Sequence, residues 1–182
     1  MPKEYLKKAT LTSKSDASEV TATVQKILDD IETGGDQAAL DYAAQFDKYD
    51  GAILLSEDDI AAASALVPEK LKEDIRFAHG NVKRFAEAQR TTLKDIEIEV
   101  VPGVIAGQKT IPVRAAGCYV PGGRYSHIAS AIMTVTTAKV AGCEHIVACS
   151  PPRPGGGINP AIVYAAHTSG ADRIMAMGGV QA

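Results

Sequence analysis

The first half of the chain repeats its apolar positions with the period of a helix. Residues on one such stripe are Val20, Val24, Ile27, Leu28 and Ile31. This spacing predicts a helix from about Asp16 to Thr33. Gly34-Gly35 ends it, and Asp36 begins a second helix that runs to about Phe46. We therefore expect an amino-terminal helical hairpin.

The pattern then changes from helix to strand and back. Ile53–Leu55 predicts a short strand, and Ser56 with Asp59 resembles a capping box for a helix over Ile60–Leu66. Pro68 opens a long helix. Its apolar face is expected to hold Leu71, Ile75, Ala78, Val82 and Phe85. Apolar residues at 96, 98 and 100 alternate with Glu97 and Glu99, which predicts a strand with one wet face.

Strands and helices alternate in the last third of the chain. Strands are predicted over Ile111–Val120, His145–Cys149 and Arg173–Met177, with helices over 126–141 and from Asn159 to Ser169 between them. This β-α-β-α-β order predicts parallel strands joined by helical crossovers. We expect an α/β fold, with the helical hairpin followed by part of a parallel-sheet domain. The two segments would be residues 1–116 and 117–182.

Ligands of parallel α/β sheets bind at the carboxyl ends of the strands. Three loops are expected there: Pro121–Tyr125, Ser150–Gly157 and Gly178–Ala182. Gly122-Gly123 permits close approach of the backbone to a ligand, and the helix that follows presents free N–H groups to an anion. A plain tight turn would give the same local pattern. The GxGxxG fingerprint of standard dinucleotide folds is missing, as is the Gly-Lys-Ser/Thr of a P-loop.

Composition and charge narrow the class of protein. Hydrophobic residues make up 46% of 182 residues and the net charge is −3. These values favour a globular protein and give no basis for nucleic-acid binding. The first hundred residues hold 13 Lys and Arg against 20 Asp and Glu, whereas the remainder holds 6 against 2. No apolar run is long enough for a membrane span, and the amino terminus has no secretory signal pattern. We expect a cytoplasmic protein.

The cysteines and histidines, which are the side chains most often used as nucleophiles or metal ligands, have simple structural explanations here. Cys118, Cys143 and Cys149 stand in apolar runs without CxxC spacing, which is typical of reduced, buried residues. His79 is expected at a surface or core edge of its helix, and His145 and His167 are expected to be structural. The sequence therefore supplies no catalytic residue and no metal-ligand set of its own.

Longer motifs point to one family. Tyr-Val-Pro-Gly-Gly, Ala-Gly-Cys, Cys-Ser-Pro-Pro and Gly-Gly-Val-Gln-Ala stand in this order between residues 119 and 182. In this order and spacing the chain resembles the histidinol dehydrogenase family. That resemblance implies two NAD-dependent hydride transfers that oxidise an alcohol to an acid, a bound zinc, Rossmann-like domains and a homodimer.

The resemblance also assigns roles to individual residues. It implies that Tyr119, Gly122, Gly123 and Gln181 contact NAD. The zinc ligands and the catalytic pair of the family would lie beyond residue 182. We therefore expect the chain to be the amino-terminal part of a longer enzyme and to be inactive alone. The alternative from another class is a complete, non-catalytic module that binds a nucleotide or a partner protein.

One segment differs from histidinol-type sequences. Arg124, Tyr125, Ser126 and His127 follow Pro-Gly-Gly where that type carries small or apolar residues. Together with SPPRPG, this segment resembles the branch that oxidises 2,3-dihydroxypropane-1-sulfonate (sulfopropanediol). Arg124 and His127 are then the candidate substrate residues, because a guanidinium can bind a sulfonate through paired hydrogen bonds. L-Histidinol is the alternative small-molecule substrate, and Arg124 is equally placed to contact the cofactor pyrophosphate.

Overall fold

The structure is a computed structural model that describes residues 14–49, 51–122, 125–153 and 156–182. The helices in these ranges are α1 (Lys14–Asp47), α2 (Glu57–Ala65), α3 (Glu69–Arg90), α4 (Ile128–Ala141) and α5 (Pro160–Ser169). The strands are β1 (Ile96–Val101), β2 (Val104–Gln108), β3 (Ala115–Tyr119), β4 (His145–Ser150) and β5 (Arg173–Ala176). The α/β class predicted from the sequence is confirmed.

Helix α1 is two helices joined at a break. Gly35 has φ 60° and ψ −147°, a conformation that interrupts the helix. The Tyr42 hydroxyl donates a hydrogen bond to the Asp30 carboxylate, although the two residues are 12 positions apart. In a continuous helix they would be separated by about 18 Å along the axis. The chain therefore turns back at Gly35, and the predicted helical hairpin is confirmed.

Helices α2 and α3 begin where the sequence predicts. Ser56 and Asp59 form the capping box of α2, and Pro68 is the N-cap of α3. One residue of the predicted apolar face of α3 is placed wrongly. Phe85 is 68% exposed, whereas Ala86 is buried. The cause is the helical repeat: Ala86 lies three full turns after the buried Ile75, and Phe85 is rotated away by about 100°.

Strands β1 and β2 form an antiparallel hairpin through Pro102-Gly103. The sequence predicted β1 but not its partner. Both faces of β1 are exposed, so the expectation of one dry face is wrong within the described residues. The Gly103 amide donates to the Glu99 carboxylate at 2.7 Å, which closes the turn.

The parallel sheet has the strand order β3-β4-β5, with α4 and α5 as crossovers. The predicted β-α-β-α-β unit is confirmed, although β3 starts four residues later than expected. Ile111 and Val113 are exposed, and Pro112 between them cannot donate a backbone hydrogen bond to a sheet. Gly142 and Gly170 end the two helices with φ of 96° and 99°, as left-handed C-caps.

A single hydrophobic core joins α2 and α3 to the parallel sheet and its helices. Ile60 and Ile75 share it with residues of the sheet unit such as Val120, Val135 and Ile146. The boundary near residue 116 stays a prediction.

The sequence leads us to expect an uncovered edge after the last strand. The structure corrects this expectation. Residues 53–55 pair antiparallel with the outer edge of β5, where the Leu55 amide donates to the Ile174 carbonyl at 3.0 Å. Among the described residues, the open edge of the sheet is that of β3.

Candidate functional site

The three loops at the carboxyl edge of the parallel sheet meet at Pro151. A Cβ atom on Gly122 would lie 2.5 Å from Cγ of Pro151, and one on Gly178 would lie 2.6 Å from its Cβ. Neither position has space for a side chain unless Pro151 moves. Through these two glycines the first and third loops contact the second, which brings Gly122 and the loop that carries Gln181 to one edge.

Two helices begin side by side at this edge. Asn159 caps α5 by accepting a hydrogen bond from the Ala161 amide at 2.9 Å, and its Nδ2 donates to Ser126 Oγ at 2.5 Å. Ser126 lies two residues before α4. Both helix starts carry a positive dipole end, which favours an anion nearby. His127, a candidate substrate residue, is exposed at the N-cap position of α4, and its side chain does not cap the helix.

Tyr119 and Gln181 are candidate cofactor residues that stand 62 positions apart in the sequence. Both lie at the third loop. The Gly179 amide donates to the Tyr119 hydroxyl at 3.4 Å, and the Tyr119 side chain is 45% exposed. Gln181 is 6% exposed. Among the described residues its buried Oε1 has no hydrogen-bond donor. A buried acceptor without a donor is costly, so this oxygen is suited to a donor group of a ligand.

One residue of the site was missed by the sequence reasoning. Asp47, the last residue of α1, accepts the Gly178 amide at 3.0 Å and the Gln181 side-chain amide at 3.5 Å, both on Oδ2. These partners are more than 130 positions away in the sequence. No local signal distinguishes Asp47 from the other carboxylates of the acidic first half.

A small pocket of about 70 Å³ adjoins Gly122. Its lining includes Tyr125, Ser126, Asn159 and Arg153. Gly123 and Arg124, which the sequence analysis assigns to cofactor and substrate, lie outside the described residues.

A larger groove of about 690 Å³ lies elsewhere, between α3, α4 and α5. It is lined by the carboxyl-terminal residues of α4 and α5, such as Lys139 and Ser169, and therefore lies at the end of the sheet away from the three loops. It contains none of the predicted site residues. The loop edge is the stronger candidate because the glycine contacts, the two helix starts and the unpartnered Gln181 oxygen converge there.

The cysteines and His79 have the structural roles that were expected. All three cysteines are buried and free, and burial raises the pKa of the Cys118 and Cys149 thiols, which disfavours the thiolate. His79 Nδ1 lies 3.0 Å from Thr136 Oγ1. Burial, and then the positive charge of Lys83, lower the pKa of His79. No group of three His, Cys, Asp or Glu that could hold a metal ion occurs in residues 14–49, 51–122, 125–153 and 156–182.

Comparison with known proteins identifies the class to which this arrangement belongs. A sequence model of the histidinol dehydrogenase family matches residues 10–182. The chain therefore belongs to the histidinol dehydrogenase family, as its motifs indicated. The crystal structure of histidinol dehydrogenase from Elizabethkingia anophelis has a similar fold, with a TM-score of 0.80 and 33% identity over 97% of this chain and 39% of that one.

Within the family, individual relatives are more similar in sequence. The sulfopropanediol 3-dehydrogenase of Ruegeria pomeroyi is 77% identical over 178 residues, which are 98% of this chain and 41% of that protein. A histidinol dehydrogenase homologue of Pelagibacter ubique is 50% identical over 98% of this chain and 42% of its own length. The chain thus spans about two fifths of the length of these relatives. None of the helices in the described residues is long and apolar enough to cross a membrane.

Proposed function

We propose that this chain is the amino-terminal part of an NAD- and zinc-dependent dehydrogenase that oxidises the primary alcohol of sulfopropanediol to the acid in two hydride transfers. The observation that carries the substrate is the 77% identity with the sulfopropanediol 3-dehydrogenase of Ruegeria pomeroyi, which extends over 98% of the chain. L-Histidinol is the alternative substrate within the same family. We further propose that the enzyme is a cytoplasmic homodimer acting on this small molecule.

In this proposal the loop edge of the parallel sheet holds NAD, which supplies the hydride acceptor when bound. Tyr119, Gly122, Gly123 and Gln181 are its binding residues. Three features of the described residues fit this role. Gly122 lines the small pocket at this edge, the Tyr119 ring is partly exposed beside the third loop, and Gln181 offers a buried oxygen without a donor. The helix starts of α4 and α5 add a field that is favourable to phosphate groups.

The zinc ion, unlike NAD, is not assigned to the loop edge of this chain. The described residues contain no group of three His, Cys, Asp or Glu side chains that could hold it. The zinc ligands and the catalytic acid and base are assigned to a part of the polypeptide outside residues 1–182. The chain described here then contributes cofactor binding and orientation.

A single assay series on the polypeptide that the gene encodes tests this function. We expect NAD reduction with sulfopropanediol, a much lower kcat/KM with L-histidinol, and loss of activity after removal of zinc. Preference for histidinol would contradict the proposed substrate. Binding of NAD without any reduction by either alcohol would favour the non-catalytic module.

The contact with the sulfonate is tested at Arg124, with Arg153 as the matched arginine at the same edge. If Arg124 binds the sulfonate, Arg124→Ala lowers kcat/KM for sulfopropanediol by roughly 10- to 150-fold, the value of a charge-assisted contact. The affinity for NAD then stays unchanged, and Arg153→Ala has a smaller effect on kcat/KM. A loss confined to NAD affinity would instead assign Arg124 to the cofactor pyrophosphate. Unchanged values of both would indicate a solvated side chain.

A further inference from the structure

Asp47 connects the amino-terminal hairpin to the loop that carries Gln181. Its Oδ2 accepts hydrogen bonds from the Gly178 amide and from Nε2 of Gln181. Asp47 is half-buried at the end of α1, and its other oxygen, Oδ1, lies 3.0 Å from the position a Cβ would take on Gly178. The carboxylate therefore packs directly against the third loop and bonds to it at two points.

The third loop requires such an anchor. Gly178 and Gly179 are adjacent, and Gly179 has a φ of 71°. Two consecutive glycines lose more conformational entropy on ordering than other residues. The Gly179 amide reaches the Tyr119 hydroxyl at 3.4 Å, which is a long hydrogen bond. The hydrogen bond from the Gly178 amide to the Asp47 carboxylate, at 3.0 Å, is shorter than this bond to Tyr119. Hydrogen bonds to a charged acceptor are also stronger than those to a neutral one.

The chemistry of Asp47 also bears on which atom of the Gln181 amide faces the carboxylate. An ionised carboxylate only accepts hydrogen bonds, and an amide group donates only through its nitrogen. Nε2 of Gln181 is therefore the atom that turns toward Asp47, at a long 3.5 Å. Oε1 is then the other end of the amide, buried and without a donor among the described residues.

We propose that Asp47 is a positioning residue of the cofactor site: it holds the Gly178–Gln181 loop and orients Gln181 so that its Oε1 accepts a hydrogen bond from NAD. This inference rests on the proposed function, because it takes NAD as the ligand of Gln181. It adds a residue from the amino-terminal hairpin to a site that the sequence motifs restrict to residues 119–182.

Two variants of Asp47 test its role as an anchor. Asp47→Ala removes both hydrogen bonds. Asp47→Asn is the conservative variant, because its single side-chain oxygen can accept from both the Gly178 amide and Nε2 of Gln181, as Oδ2 does. Asp41→Ala is the matched control, because Asp41 lies on the same helix and bonds to Gln37 on the surface.

The experiment measures amide hydrogen exchange at Gly178 without ligand, and the affinity for NAD by titration, in the polypeptide that the gene encodes. In Asp47→Ala we expect faster exchange at Gly178 and an NAD affinity lower by about 10-fold or more. In Asp47→Asn we expect both quantities to stay closer to those of the wild type than in Asp47→Ala. Asp41→Ala changes neither quantity.

The outcomes distinguish this inference from the function on which it rests. Wild-type NAD affinity in Asp47→Ala, with a wild-type protein that does bind NAD, overturns the role of Asp47 and leaves the proposed function intact. An NAD affinity lost in Asp47→Asn while exchange at Gly178 stays unchanged also overturns the positioning role, because the anchor is then intact. A wild-type protein that binds no NAD overturns both the inference and the proposed function. If Asp47→Ala does not fold, Asp47→Ser takes its place in the same two measurements, because its shorter side chain cannot reach both donors.

Discussion

At the scale of single residues, packing at the carboxyl edge of the sheet determines where glycine is required. Gly178 lies between Pro151 and Asp47, and an added Cβ would meet both. Gly117 lies in strand β3, and a Cβ there would meet nothing within 4 Å. Nothing in the local sequence separates these two glycines. Their difference comes from the contacts of Gly178 with Pro151 and Asp47, which the sequence did not reveal.

This difference predicts opposite tolerances for the same substitution. Gly178→Ala forces Pro151 or Asp47 to move and is expected to lower the free energy of unfolding by about 1–3 kcal/mol. Gly117→Ala is expected to change it by less than about 0.5 kcal/mol. Urea denaturation of both variants measures the effect. Equal destabilisation by the two substitutions would show that the loop edge is less closely packed than described.

A second residue-scale prediction concerns pH. Burial and Lys83 lower the pKa of His79 in the folded state, so the folded protein favours the neutral ring more than the unfolded chain does. The contribution of His79 to stability is therefore present above its ordinary pKa of 6.5 and is lost as the pH falls below that value. We expect the free energy of unfolding to decrease from pH 7.5 to 5.5, and to decrease less in His79→Gln. An identical pH dependence in both proteins would exclude His79 as a source.

At the scale of elements, the helices were the most predictable part of the fold. Helix starts and ends depend on local hydrogen bonds and backbone angles that involve only near neighbours. The starts are marked by Ser56, Pro68 and Asn159, and the ends by Gly142 and Gly170. The errors occurred where distant packing decides. Phe85 faces solvent because Ala86 faces the core, and β2 forms because it pairs with β1, although it carries no strict alternation of its own.

Two glycines, one inside a predicted helix and one predicted to end a helix, test how local these signals are. Gly80 lies inside α3, where an added Cβ meets nothing within 4 Å, and Gly80→Ala is expected to stabilise the protein by about 0.5–1 kcal/mol. Gly35 breaks α1 at φ 60° and ψ −147°, so Gly35→Ala is expected to destabilise it by about 1–3 kcal/mol. Thermal unfolding compares the two. A stabilising Gly35→Ala would mean that α1 is continuous rather than a hairpin.

At the scale of the whole molecule, the sequence motifs located the candidate site but not its full composition. Tyr119, Gly122 and Gln181 follow strands of a parallel sheet, so their convergence could be derived from topology. Asp47 could not be derived in this way. Its contact joins the end of α1 to Gly178, more than 130 positions away in the sequence, and such a long-range contact has no local sequence signature.

The β1–β2 hairpin exposes apolar side chains on the surface of the molecule. The β1–β2 hairpin has one apolar face, because Ile98 lies opposite Ala106 and Val101 lies opposite Val104. Ile98, Val101 and Val104 are each more than half exposed. The other face carries Glu97 and Glu99. A two-stranded hairpin is only marginally stable in water unless it packs against another element, so this apolar face favours association.

We therefore expect the 182-residue chain to self-associate through the apolar face of the hairpin. Ile98→Lys places a charge on that face and should shift the protein toward the monomer in sizing and sedimentation experiments. Ile105→Lys is the matched control, because Ile105 is 66% exposed on the opposite face of the hairpin, across from Glu99. The same charge added there should leave most of the association in place. Equal effects of the two variants would point to net charge rather than the face, and a sharp monomer peak with cooperative melting of the unmodified chain would contradict self-association itself.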